Sequence, residues 1–178
     1  MQCYGGKDLA RTFRTVRKNT LMIAEEIPEE HYAFSPAPAT RTAGQMLAHI
    51  AVSSRLQQTM QSDKVATLEN FDFMRIIGPI TAQEQVARTK EGIIGFLKSE
   101  GEVFATWVGS LGDDFLAERV AMPPGGEVDS KSRFEMLMGV KEHEMHHRGQ
   151  LMLIERMIGI TPHLTRAMEE RMAARAGS

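Results

Sequence analysis

The sequence predicts an all-α fold: a four-helix bundle with long connections and room for short extra helices. Three observations predict it. Apolar residues recur at three- and four-residue steps through four long segments. Ser/Thr-x-x-Glu capping boxes open two of those segments. Proline and glycine clusters separate them, and four helices joined in this way make a bundle. The 178 residues suit one domain, 1–178, with a core over about 7–160 and a tail over 165–178.

The first helix runs from about Lys7 to Ile27. Leu9, Phe13, Val16, Thr20, Ile23 and Ile27 form its stripe, and Pro28 stops it. The stretch "SPAPAT" at 35–40 is an extended connector, because proline restricts itself and its predecessor. A second helix starts at Thr40 or Thr42 and reaches about Gln61. Met46, Ile50, Ser53 and Gln57 share one side, with His49 at the edge of the buried face. Residues 62–80 read as a short helix or a loop packed over the bundle. Thr81 and Glu84 make a T-x-x-E box that marks the start of a third helix. Ile93, Leu97, Phe104, Trp107 and Leu111 carry its stripe, and Gly92, Gly95 and Gly101 suggest close packing against another helix. Residues 112–131, broken at Pro123-Pro124-Gly125-Gly126, form a long crossing loop with room for a small hairpin. Ser132 and Glu135 box the start of a fourth helix, which runs to about Ile158. Gly159 and Pro162 end it, and a short tail helix follows.

Composition excludes some functions. A formal net charge of -2 gives no basic stripe for nucleic acid. Arg166, Arg171 and Arg175 alternate with Glu169 and Glu170, which describes a solvated helix or tail. No apolar run approaches the ~18 residues of a membrane span, and the N-terminus has no apolar signal core. Cys3 is the single cysteine, so no internal disulfide forms, and its terminal position lacks the walls that tune a catalytic thiolate. The expected compartment is the cytoplasm.

The chemistry is concentrated in "KEHEMHHRGQ", residues 141–150, which holds three of the six histidines. On a wheel of about 100° per residue, Met136, Val140, His143, His147, Leu151, Ile154 and Ile158 fall within about 80° of one another. Two histidines therefore interrupt a core stripe, while His146 turns roughly 60–100° away. Side chains four apart lie on one face, so His143 and His147 can converge on one ion. Two ligands bind weakly, and His49, mid-helix at a core edge, is the best third. Three neutral imidazoles and a water make an open, catalytic type of site. The rival reading is ordinary histidines whose ring nitrogens are satisfied by hydrogen bonds. Gln150, near the same direction, is the candidate partner for a ligand's far nitrogen, with His146 as a neighbour. Glu144 projects off the ligand direction, to orient Arg148 or cap another helix. Glu25 and Glu26 are weaker candidates for a base. His31 and His163, beside helix breaks, read as surface residues.

The stretches "HEMHHRGQLMLIERMIG" with "TP" beyond it, and "TAGQMLAHIAVSSRL" earlier, resemble the DinB-like superfamily of damage-inducible proteins and bacterial thiol S-transferases. The likeness spans nearly the whole chain. It implies an up-down-down-up four-helix bundle, often homodimeric, with ligands at His49, His143 and His147. It implies a divalent metal ion, zinc or nickel, and a small-molecule substrate, with a low-molecular-weight thiol as cosubstrate in some relatives. The implied activity is a metal-dependent thiol S-transferase or hydrolase; the alternative is a non-catalytic metal-binding or stress-response bundle. A second apolar stripe on the last helix, Phe134, Met138, Met145 and Met152, adds an expectation of a homodimer.

Overall fold

The structure, a computed structural model, describes residues 4–176, so Cys3 lies outside the described residues. Four long helices form the bundle: α1 (Gly6–Glu26), α2 (Ala43–Ser62), α4 (Lys90–Gly109) and α6 (Arg133–Met157). Shorter elements fill the connections: α3 (Met74–Glu84), α5 (Asp113–Ala117), the strands β1 (Arg119–Ala121) and β2 (Ser130–Ser132), and the tail helix α7 (His163–Ala176).

The pairings set the topology. α1 and α2 each lie between α4 and α6, so they occupy one diagonal of the bundle. Arg14, toward the middle of α1, pairs with Glu102, and Lys90 Nζ at the start of α4 donates to Glu25 O and Ile27 O at the end of α1, so α4 is antiparallel to α1. Gly44 faces Ile93 and Arg55 pairs with Glu100, so α2 runs parallel to α4. α6 pairs Gln61 with Met136 and His49 with His147, antiparallel to α2. The order is up-down-down-up.

Two apolar clusters fill the centre of the bundle, and a third joins α2, α3 and α6. Of the central two, one joins Phe13, Phe104, Val108, Leu137 and Val140; the other joins Ile23, Leu47, Ile50, Leu97, Leu151 and Ile154. Between them lies a polar layer. Arg17, only 4% exposed, donates to Glu144 through Nε and Nη2, to Leu97 O through Nη1 (2.7 Å) and to Ile50 O through Nη2 (3.2 Å). Thr20 Oγ1 donates to Glu144 Oε1 at 2.7 Å. All four long helices meet at this one guanidinium. Gly101 makes room for it, since a Cβ there would stand 2.9 Å from Arg17 Nη1. Gly95 faces open space, so close packing accounts for Gly101 and not for Gly95.

One expected boundary and one expected exposure change. Thr81 and Glu84 lie inside α3, and α4 begins later, where Thr89 Oγ1 accepts from Gly92 N at 3.2 Å. The reason is the apolar spacing of Ile76 and Ile80, which bury against Val52, Met60 and Met136 and carry the helix through Pro79. Asp72 Oδ1 accepts from Met74 N and Arg75 N to start it. His163 is buried rather than superficial, because the chain reverses at Pro162 and lays the first turn of α7 back toward α1, with His163 Nε2 3.5 Å from Asn19 Oδ1.

Other boundaries agree. Ser132 and Glu135 form a reciprocal capping box on α6. Gly159, at φ 87, ends it in a Schellman motif, with Ile160 N donating to Glu155 O and Gly159 N to Arg156 O. The crossing segment carries the hairpin, β1 antiparallel to β2 with Val120 opposite Lys131. Among the described residues no helix is long and apolar enough to cross a membrane.

Candidate metal centre

Two capping boxes aim the site. On α2, Thr42 Oγ1 accepts from Gln45 N while Gln45 Oε1 accepts from Thr42 N, which fixes the register that places His49 seven residues on. On α6, the Ser132 box fixes the register of His143 and His147. Because α2 and α6 run antiparallel, the three rings meet between them. The Nε2 atoms form a nearly regular triangle: His49 to His147 is 3.1 Å, His143 to His147 3.2 Å and His49 to His143 3.3 Å. Arg17 stands behind this triangle, holding the neighbours Ile50 and Glu144 of two of its members, and so sets the spacing of α2 against α6.

The far nitrogens decide the tautomers. Glu84 Oε1 lies 2.6 Å from His49 Nδ1, and Glu84 Oε2 accepts from Arg41 Nη2 at 3.3 Å. A carboxylate oxygen accepts, so in the neutral His49 ring the proton sits on Nδ1 and Nε2 is left as a bare lone pair. Gln150 Oε1 lies 2.8 Å from His147 Nδ1 and imposes the same tautomer there. Two lone pairs 3.1 Å apart cannot hydrogen-bond each other; a cation between them satisfies both. The triangle fits one. Tetrahedral bonds of about 2.0–2.1 Å require ligand nitrogens about 3.3 Å apart.

Two of the rings are also pushed toward the ligating charge state. Burial, then the neighbouring His147 and His49, push His143 down to about 4. Burial likewise lowers His147, against the opposing hydrogen bond from Gln150. Neutral imidazole is the form that binds metal.

Glu84 and Arg41 were not legible as site residues. Glu84 follows Ile76 and Ile80 at steps of four, and an acid on an apolar stripe is the signal that marks it. That signal was masked because T-x-x-E also describes a helix start. His146 lies outside the triangle, with its ring edge-on to His147 and its Nε2 3.4 Å from Gln150 Nε2. Glu144 is not turned toward Arg148 by a hydrogen bond: it is buried, and takes Arg17 and Thr20 instead. Glu25 pairs with Lys98 and Glu26 with Arg166, so neither reaches the histidines as a base. Beside the triangle, between α2, α3 and α6, lies a cavity of about 400 Å³ lined by His49, His143 and Glu84 among others.

Known proteins share this architecture. The sequence profile of the DinB superfamily matches residues 12–151. The uncharacterized protein YjoA of Bacillus subtilis (strain 168) is 23% identical over 151 residues, covering 84% of this chain and 88% of its own. The crystal structure of YjoA, a DinB-like protein, superimposes with a TM-score of 0.63 at 21% identity, over 86% of this chain and 93% of that one. A DinB-like protein from Bacillus cereus ATCC 10987 gives 0.64 at 15% identity, over 87% and 93%. YfiT from Bacillus subtilis, described as a probable metal-dependent hydrolase with an unusual four-helix bundle topology, gives 0.63 at 12% identity, over 87% and 88%.

Proposed function

Because this chain belongs to the DinB superfamily, we propose that it is a divalent-metal-dependent enzyme, a hydrolase or a thiol S-transferase, acting on a small molecule. The observation that carries this reading is the triangle of three Nε2 atoms, two of them on rings whose Nδ1 faces an acceptor, Glu84 or Gln150. His49, His143 and His147 would hold the ion. Zinc and nickel both suit imidazole. Bound there, such an ion supplies Lewis acidity, enough to acidify a water for hydrolysis or to keep a cosubstrate thiol as thiolate.

The chain's own residues do the rest. Glu84 and Gln150 orient two rings and make them better donors to a cation. The cavity admits the reactant on the side of His49 and His143. Glu84 is the carboxylate at the site, and both its oxygens are engaged, so it orients rather than accepts a substrate proton. The likeness to YfiT favours hydrolysis as the first reaction to test.

Metal analysis of untagged protein tests the ion. We expect about one divalent ion per chain, lost in His147→Ala; equal metal content in both would sink the triad. Activity follows with p-nitrophenyl esters, and with a panel of low-molecular-weight thiols against an electrophilic dye. Turnover removed by a chelator and restored by zinc or nickel supports an enzyme. A metal-loaded chain inert toward every substrate supports the non-catalytic bundle instead. The homodimer belongs to the same proposal, but its basis shifts. Phe134 and Met138 pack on one internal cluster and Met152 on the other, so Met145, Leu153 and Met157 are the apolar residues that α6 leaves exposed.

A further inference from the structure

The cavity beside the triangle has an apolar body. Leu56 on α2, Ile77 and Ile80 on α3, and Met136 and Val140 on α6 line it. His49 and His143 stand at one end, and Gln57 and Met136 at the other, because α2 and α6 are antiparallel. About 400 Å³ accommodates a small organic molecule. The one arginine in the lining, Arg41, is already turned to Glu84 at 3.3 Å, so the wall offers little to an anionic body. Gln57 accepts from Gln61 Nε2 at 3.1 Å, which leaves its own NH2 as a donor at the deep end.

Gly139 is out of place by ordinary rules. It sits in the interior of α6, one turn before His143, where glycine weakens a helix. Its φ is not positive, so the backbone does not need it. A Cβ there would meet nothing within 4 Å, so packing does not need it either. It lines the cavity, and any larger side chain would occupy space there.

We propose that this cavity seats the body of the substrate, a small molecule with a short alkyl chain or a single aromatic ring and a polar reacting group at one end, and that Gly139 is the specificity-determining residue that keeps the space open. The proposal rests on the metal-site reading: the polar end meets the ion at His49 and His143 while the apolar end lies over Val140, Ile80 and Leu56.

Calorimetry with zinc-loaded protein and a hydroxamate series (aceto-, butano-, hexano- and benzohydroxamate) tests it, because the head binds the ion and the tail reports the cavity. Affinity should rise about fourfold per added methylene, the equivalent of about 0.8 kcal/mol. Gly139→Leu should bind zinc and acetohydroxamate as the wild type does and lose the gain from the tail. Gly139→Ala should keep most of that gain and melt higher, which shows that the position tolerates a side chain. Equal affinities along the series in a zinc-binding wild type, or an undiminished gain in Gly139→Leu, overturn the cavity and leave the metal reading standing. If zinc does not bind, the metal reading fails, and 1-alkanols of the same lengths decide the cavity alone. Length-dependent binding abolished by Gly139→Leu supports it, and its absence overturns it.

Discussion

Glu84 and Gln150 do for the histidines what the helices alone cannot. A helix places His143 and His147 on one face, but only an acceptor at Nδ1 turns a ring so that its bare nitrogen points at its partners. The three ligands were visible in the sequence because each lies on or beside an apolar stripe. Glu84 was not, because a carboxylate three residues after a threonine has two meanings, and only the position of α2 chooses between them. Arg17 was hidden for a different reason. It adjoins Val16 on the stripe of α1, and an arginine at such an edge normally extends to solvent. The carboxylate that retains it, Glu144, comes from a helix more than a hundred residues away. Removing Glu84 should therefore act on the ion rather than on the fold. Glu84→Ala should weaken zinc binding about 10- to 100-fold, with Glu84→Gln losing less because its carbonyl still accepts from His49. Competition against a fluorescent chelator measures it. Unchanged affinity in Glu84→Ala would show that the His49 tautomer is not set by Glu84.

At the scale of elements, local rules located the strong helices and misplaced one weak boundary. α1 carries a proline stop and α6 a Ser-x-x-Glu box, and these signals depend on neighbours within a few residues. α3 depends on distant ones: Ile76 and Ile80 must be buried under α2 and α6 before a helix through Pro79 is worth forming. The corrected boundary has a direct test. Thr89→Ala removes the hydroxyl that caps α4 and should cost about 1 kcal/mol. Thr81→Ala, inside α3, should stay within about 0.5 kcal/mol. Urea titration compares them, and an equal cost would restore the Thr81 start.

The junction of α6 with α7 makes a pH-dependent element. Glu155 is fully buried, and the Glu26 carboxyl rather than a cationic donor stands beside its oxygens. Burial, then Glu26 on α1, push its carboxyl up to about 7, against the pull of Arg166 on α7 and Arg156 on α6. The ordinary value is 4.5, so between about 4.5 and 7 the folded chain keeps a proton that the unfolded chain has lost. Stability is thus fully present below 4.5 and declines as the pH rises through 7. Glu155→Gln, always neutral, should melt about 2–4 °C above the wild type at pH 8, the equivalent of about 1 kcal/mol at this length. Near pH 4.5 the two should coincide. A gap of the same size at both pH values would assign the effect to shape rather than to charge.

Across the whole molecule, the bundle's connectivity decides what an ion can do. The up-down-down-up order puts α2 and α6 side by side although residues 63–132 separate them, so contacts between them close a long loop. Arg17 already fastens these two helices from inside, and the triad lies on the cavity side of the same junction. An ion held by His49, His143 and His147 would therefore bind the folded chain and not the unfolded one, whose histidines are scattered. Such a ligand stabilises by mass action: at a hundred times its dissociation constant the gain is about 2.7 kcal/mol. For a chain of this length that raises the melting midpoint by about 5–10 °C. The rise should vanish in His49→Ala, and in Glu84→Ala it should return only at about 10- to 100-fold higher zinc, because that variant keeps the three ligands and loses only orientation. Calorimetric scans over a zinc series distinguish these cases. A midpoint that moves equally in the wild type and in His49→Ala would place the ion elsewhere on the surface and detach it from the joint between α2 and α6.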